Sequence, residues 1–192
     1  VLSRHQGEIT MRTIPEILHE LKRRLDAESA QIEVEFPYYI VRSAPVSGLS
    51  APMEYRCTFV AESNGLSDDF QLKVVVPVTT LCPCSKEISD YGAHNQRGVV
   101  TVQVRSQNIF WIEDLISLVE SSASSELYSL LKREDEKAVT ERAYENPVFV
   151  EDLVRNVALK LNATTDVTWY KVEAENYESI HNHNAYACIE KG

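Results

Sequence analysis

The stretch at residues 69–106, "DFQLKVVVPVTTLCPCSKEISDYGAHNQRGVVTVQVRS", decides the fold, because two strand patterns flank a polar segment. Residues 69–78 are rich in β-branched side chains, and residues 97–106 alternate apolar and polar positions. Between them lie two cysteines, Cys82 and Cys84, on either side of a proline, and then His94. We therefore expect a loop carrying Cys-Pro-Cys between two strands of a sheet.

The remaining patterns surround this pair of strands with further strands and helices. Apolar residues at three- and four-residue spacing, from Ile14 to Leu25, predict an amphipathic helix over residues 14–29. A second helical pattern covers about 110–131, and Asn146 is expected to cap a third helix that begins at Pro147. Strand patterns cover four further segments: 30–43, 53–62, 165–176 and 184–190. Residues 131–147 have the composition of a solvated, charged connection.

Length and composition limit the class of protein. With 192 residues, 44% of them hydrophobic and 25% charged, the chain predicts one large domain or two intimate modules. It has no apolar run of about 20 residues and no signal-peptide pattern, so we expect a cytoplasmic protein that does not bind membranes. The formal charge of -10 argues against nucleic-acid binding. Because the first residue is Val1 and not Met, we keep open an incomplete N-terminal part.

The four cysteines divide into two kinds. Cys82 and Cys84 are two residues apart and poorly placed for a disulfide, so metal binding or thiol catalysis is the functional interpretation. His94 follows Cys82 by twelve residues and adds an imidazole to the thiolates, which is a donor set that suits zinc and other late first-row metals. An inert loop is the alternative. Cys57 and Cys188 lie in apolar alternating stretches and are predicted to be buried.

Two other positions carry ionisable groups of interest. His181 and His183 are two residues apart in "ESIHNHNAY" (178–186), so strand alternation points both rings to one side, unless the segment is a plain solvated turn. Glu151 lies near the start of the third helix, four residues before Arg155. Two interpretations are open. Glu151 either forms an exposed ion pair with Arg155, or it accepts hydrogen bonds from a guanine-like ligand, whose edge presents two N–H donors.

Three segments together resemble one known family. They are "LCPCSKEISDYGAHNQRG" (81–98), "DEKAVTERAYENPVFVEDLVR" (135–155) and "ESIHNHNAYA" (178–187), and the sequence that contains them resembles the type IB GTP cyclohydrolases over nearly its whole length. The resemblance implies an α+β tunnelling fold (T-fold), in which antiparallel sheets carry paired helices. It also implies one enzyme unit of two modules, about 1–80 and 81–192. Such modules assemble into barrels in a homo-oligomer, a tetramer, with active sites between subunits.

The resemblance also implies a reaction. Family members convert GTP and water to 7,8-dihydroneopterin triphosphate and formate, the first step of tetrahydrofolate biosynthesis, with a divalent metal ion (Zn, Mn or Fe) as cofactor. The alternatives are another tunnelling-fold enzyme acting on a purine or pterin, and a noncatalytic binding protein stabilised by a metal.

The family's functional residues match individual positions of this sequence. Cys82, Glu136 and His181 match metal ligands, and Cys82 is also catalytically important. His94 matches an active-site histidine that binds the metal or moves protons. Cys84 matches the second cysteine of the motif, in a catalytic or substrate-contacting role. Glu151 matches the glutamate that anchors the guanine. His183 can exchange roles with His181.

Overall fold

A computed structural model describes residue 10, residues 12–65 and residues 67–192 of the chain. Its centre is one antiparallel sheet of seven strands. The strands are β1 (Ala30–Ser43), β2 (Ser50–Ser63), β3 (Asp68–Leu81), β4 (Asn95–Ser106), β5 (Ser125–Glu126), β6 (Val167–Asn176) and β7 (Ala185–Lys191). Their order is β1-β2-β3-β4-β6-β7, and the short β5 pairs with β3. The α+β architecture with an antiparallel sheet is thus the predicted one.

One face of the sheet carries the helices. They are α1 (Ile14–Leu25), α2 (Pro83–Ile88), α3 (Ile112–Glu120), α4 (Arg133–Glu145) and α5 (Val150–Asn162). Alternate residues of the central strands, such as Val76, Val100 and Val172, point to that face and are fully buried. The opposite face is polar, and Lys73 lies 3.8 Å from Glu33 across it. The alternation of apolar and polar residues in these strands therefore indicates which face of the sheet packs against the core. Among the helices of the described residues, none has the length and apolar character that spanning a bilayer requires.

Helix α1 ends at Leu25, the last apolar residue of its pattern, and not at residue 29 as predicted. Ile14, Ile17 and Leu18 are buried, but Leu25 is 71% exposed. Asp26 adopts a left-handed conformation (φ 48°), and the next amide, of Ala27, bonds back to the carbonyl of Lys22. This C-terminal cap ends the helix at Leu25 and turns the chain toward β1.

The prediction of a single helical region over 110–131 is wrong. Helix α3 ends at Glu120, and β5 then pairs with β3 through Val78 and Glu126. Helix α4 occupies the segment that was expected to be a solvated connection. Its side chains are mostly charged, so no apolar stripe announces it in the sequence.

A buried carboxylate fixes the start of α4. Asp135 accepts hydrogen bonds from the backbone N–H groups of Val46 (2.9 Å), Ser47 (2.8 Å) and Lys132 (2.9 Å) and from the Ser47 hydroxyl (2.6 Å). Burial alone would raise the pKa of Asp135, but these hydrogen bonds outweigh it and hold the pKa well below its usual range. The turn between β1 and β2 is thereby attached to the first turn of α4.

Asn146 does not cap the third helix as expected. It ends α4, and its side-chain N–H donates to the carbonyl of Ala123 at 2.8 Å. Helix α5 begins at Val150, with Phe149 at the preceding cap position. The Asn-Pro pair therefore marks the end of one helix more closely than the beginning of the next.

Candidate active site

One polar cavity collects most of the residues that the sequence singled out. It has a volume of about 240 Å3 and lies where β3 and β6 end, β4 and β7 begin, and α5 starts. Five predicted site residues line it: Cys82, His94, Glu151, His181 and His183. The antiparallel order of the strands explains why these residues are close together. The last residues of β3 and β6 and the first residues of β4 and β7 all lie at the same end of the sheet.

The Cys-Pro-Cys segment is a short helix and not the expected loop. Pro83 occupies the first position of α2, and the Cys82 sulfur accepts a hydrogen bond from the Ser85 N–H (3.5 Å). The chain then returns to the sheet, where the Cys82 N–H donates to the His94 carbonyl (3.1 Å) and the His94 N–H donates to the Ser85 hydroxyl (3.2 Å). These hydrogen bonds join the two ends of the segment from Cys82 to His94 and bring both residues to one cavity.

The ring of His94 is held by neighbours that the sequence did not reveal. Its Nδ1 lies 2.9 Å from Gln96 Oε1, 3.4 Å from the Ser179 hydroxyl and 3.9 Å from Glu178 Oε2. Gln96 and Glu178 both line the cavity. Glu178 opens the quoted motif "ESIHNHNAY", so its proximity to the two histidines was the available signal. Gln96 lies in the quoted segment 81–98, two residues after His94, and this spacing was the signal there.

The other two histidines stand at the mouth of the cavity. Their rings are stacked with centroids 5.2 Å apart. Both are exposed in a bend that precedes β7, so the solvated turn left open by the sequence is the correct alternative, and the rings share one side without strand alternation. The His181 ring is also 6.4 Å from that of His94, edge to face. Three imidazoles and one thiol therefore surround the same small volume.

Glu151 faces this cavity from the first turn of α5. The ion pair with Arg155 that the sequence left open does not form, because Arg155 pairs with Asp152 instead. The Glu151 carboxylate is therefore available to a ligand, in a position where the helix N-terminus favours negative charge.

The lining of the cavity also includes Asn176, which pairs across the sheet with Gly98. A side chain at position 98 would place its Cβ 2.6 Å from the Asn176 Oδ1 atom. Glycine is therefore required at this position if Asn176 is to keep its place in the wall.

Other predicted site residues lie elsewhere in the single chain. Cys84 is exposed on α2, and Glu136 is exposed on α4; neither lines the cavity. Within the described residues, no group of three or more His, Cys, Asp or Glu side chains is arranged to hold a metal ion. The prediction for Cys188 is wrong, since it is exposed on the edge strand β7, whereas Cys57 is buried as expected.

A second, larger cavity of about 500 Å3 has a different lining. Its wall is mainly aromatic and aliphatic, with Phe36, Phe59, Phe110 and Trp111 among its residues, and none of its described lining residues is a cysteine or a histidine. It lies between β1, β2 and the start of α3, so size alone does not identify the candidate active site.

Two solved structures have the same fold. The chain is similar to uricase from Arthrobacter globiformis, with a TM-score of 0.51, 11% identity, and coverage of 97% of this chain and 71% of that one. It is also similar to a protein described as a highly active BTUO mutant, with a TM-score of 0.56, 8% identity, and coverage of 95% and 70%. The fold is therefore a tunnelling fold of the type found in uricase.

Sequence comparison then gives the family. The protein-family model described as "Type I GTP cyclohydrolase folE2" matches residues 1–187 of the sequence. A relative named GTP cyclohydrolase FolE2, from Syntrophus aciditrophicus, is 60% identical over 191 residues that cover 100% of this chain and 75% of its own length. A relative of the same name from Nitrosococcus oceani is 58% identical and is covered over 72% of its length. The chain belongs to the type I GTP cyclohydrolase FolE2 family.

Proposed function

We propose that the protein is a GTP cyclohydrolase that converts GTP and water to 7,8-dihydroneopterin triphosphate and formate. The observation that carries this proposal is the cavity in which Cys82, His94, Glu151 and the two histidines meet, in a chain that belongs to the FolE2 family. The product places the enzyme at the start of tetrahydrofolate biosynthesis. A reducing cytoplasm would keep both cysteines of the Cys-Pro-Cys segment as thiols, so we propose that location as well.

The donor atoms fit a divalent metal ion by their chemistry. Cys82, His181 and Glu136 would hold it, with His94 as a further ligand or a proton carrier. Thiolate and imidazole suit zinc, whereas the carboxylate also admits manganese or iron. When bound, the ion would supply Lewis acidity at neutral pH. One chain alone does not assemble this set, since Glu136 is not in the cavity wall.

The position of Glu136 supports a site shared between subunits. It follows Asp135, which is bound to the β1–β2 turn, and this turn lies at the same end of the sheet as the cavity but near its opposite edge. In the described chain, β1 and β7 are the edge strands, each with one neighbour. Antiparallel pairing of β1 from one copy with β7 of the next would bring Glu136 of the partner subunit toward His181.

Such pairing, repeated around an axis, would close the sheets of several copies into a barrel, and we propose a homotetramer built in this way. Each chain would contribute one unit of two modules, about 1–80 and 81–192, and no membrane or nucleic acid would take part. The cavity of about 240 Å3 is smaller than the roughly 300 Å3 at which ordinary small-molecule pockets begin. A second copy would enlarge it.

The chain's own residues would bind the purine and move its protons. Glu151 would accept hydrogen bonds from the guanine N1–H and 2-amino group, which fixes the purine in the cavity. His94 would deliver a proton to the imidazole-ring nitrogen beside C8, which favours attack of water at C8 and opening of the ring. Cys84, on the exposed side of α2, would contact the substrate. C8 leaves as formate after a second hydration.

Mixed oligomers test the shared site. We would co-express Cys82→Ala and Glu136→Ala chains with different tags and isolate oligomers that contain both. If the two residues come from different subunits, about a quarter of the sites in a random 1:1 mixture contain both native residues and recover activity. If each site uses one chain, no site is intact and the mixture stays inactive. The same chains expressed separately are the controls.

A further inference from the structure

The contacts of Gln96 determine which nitrogen of His94 carries the proton. The Gln96 side chain is buried, and its Nε2 group lies 3.1 Å from the Thr80 hydroxyl and 3.4 Å from Glu178 Oε1. A carboxylate only accepts hydrogen bonds, so the amide nitrogen must face Glu178 and the amide oxygen must face His94. The oxygen is 2.9 Å from Nδ1 of His94, which is then the donor.

This orientation is fixed by the sheet. Gln96 and Thr80 are cross-strand partners of β4 and β3, and both are buried on the face that carries the helices. The Glu178 side chain is also largely buried, with 13% exposed. Rotation of the amide would turn its oxygen toward the carboxylate and leave two acceptors in contact, which is costly for buried groups.

We propose that Gln96 is a positioning residue that holds neutral His94 as the Nδ1–H tautomer, and that Glu178 acts through it. The Nε2 lone pair of His94 is then the free one, and no group in the described part of the chain bonds it. Nε2 is therefore the atom that binds a metal ion or exchanges a proton with the substrate. This inference rests on the proposed function and adds two residues to it.

The direct test is the ring ¹⁵N spectrum of His94 in the metal-free protein at about pH 9, where an ordinary imidazole is neutral. The signal of His94 would be assigned by its loss in His94→Gln. We expect a protonated, pyrrole-type Nδ1 and an unprotonated, pyridine-type Nε2. In Gln96→Leu, the proton should move wholly or partly to Nε2. A native protein with the proton on Nε2, or a Gln96→Leu spectrum identical to the native one, would overturn the proposal.

A double variant that exchanges the side chains of Gln96 and Glu178 keeps the test decisive if Gln96→Leu does not fold. Glu178→Gln combined with Gln96→Glu keeps the total charge, leaves a carboxylate to accept from Nδ1 and supplies an amide to donate to it. We expect the Nδ1–H tautomer in this double variant, and an Nε2–H tautomer there would also count against the proposal. The matched control is Gln103→Leu on the same strand, whose side chain bonds Gln71 away from the cavity; its His94 spectrum should be native.

Kinetics distinguish the positioning role from the proposed reaction. In the metal-loaded enzyme we expect Gln96→Leu to lower kcat by about 10- to 100-fold with little change in KM, as is usual for residues that orient a ligand or base. If the native protein has the Nδ1–H tautomer but does not turn over GTP, the positioning role stands and the cyclohydrolase proposal fails. If GTP turns over and Gln96→Leu leaves kcat native, the positioning role fails alone.

Discussion

The aromatic cavity and the polar cavity differ in the cysteine associated with each: Cys57 is a strand neighbour of residues that line the first, and Cys82 itself lines the second. Cys57 pairs across the sheet with Phe36 of the aromatic cavity, and burial, together with the charge of Glu113, raises its pKa to about 12. Cys82 is half-buried at the start of α2, and three histidines line the same cavity. The larger cavity is lined mainly by apolar side chains, with Arg12, Tyr38 and Glu113 as its ionisable residues among those described, whereas the smaller one gathers a thiol, three imidazoles and two carboxylates. This contrast shows that convergence of ionisable side chains, and not volume, marks the candidate active site.

Substitution of each cysteine by alanine tests this contrast most strongly. Cys82→Ala should lower GTP turnover by about 1000-fold or more, because it removes a group expected to act on the substrate or its metal. Cys57→Ala should keep turnover within about twofold and cost about 1 kcal/mol of stability, because it only leaves a small void. Formate release and urea unfolding measure the two effects. An active Cys82→Ala enzyme would break the contrast.

Neighbouring carboxylates on α5 give the next comparison. Glu151→Gln should lower kcat/KM for GTP by about 100-fold, since charge-assisted hydrogen bonds to the guanine contribute a few kcal/mol. Asp152→Asn should change kcat/KM by less than about twofold, because it removes only an exposed ion pair with Arg155. Steady-state kinetics with GTP decide between them, and equal effects of the two variants would argue against a guanine contact at Glu151.

Thiol reactivity tests the electrostatic side of the comparison. With a pKa of about 12, Cys57 has about one thiolate in a thousand molecules at pH 9 and should resist iodoacetamide. The exposed thiol Cys84 should be labelled in the folded protein. Mass spectrometry of peptides gives the two rates, and labelling of Cys57 as fast as Cys84 would contradict its assigned environment.

Because the pKa of Cys57 is raised, the contribution of this residue to stability depends on pH. Burial favours the neutral thiol, so its contribution is complete below the ordinary thiol pKa of about 8.5 and is lost as the pH rises toward about 12. The stability difference between the native protein and Cys57→Ala should therefore shrink in that alkaline range.

The smallest expected effect is at the aromatic cavity itself. Trp111 lines that cavity but is 63% exposed, so Trp111→Ala should change kcat/KM by less than about twofold and stability by about 1 kcal/mol or less. A large loss of turnover in a variant with native unfolding would make the aromatic cavity part of the active site.

Local patterns in the sequence predicted the long strands and most of the cavity residues. Alternation of buried and exposed residues located the strands, and the spacing in Cys-Pro-Cys and in "ESIHNHNAY" located the groups that meet at the cavity. Helix α4 was missed because its side chains are mostly charged and form no apolar stripe, while the hydrogen bonds of the buried Asp135 that fix its start come from residues distant in the sequence. Gln96 was missed because its role depends on pairing with Thr80 and on contact with Glu178, which is 82 residues away.

The most direct measurement of the central claim is product formation from GTP. The purified, metal-reconstituted protein would be incubated with GTP while formate and the fluorescence of the oxidised pterin are measured together. We predict metal-dependent formation of both products in equal amounts, with neither product from Cys82→Ala. A folded, metal-loaded oligomer that binds GTP and releases neither product would contradict the assignment of the polar cavity as a GTP cyclohydrolase active site.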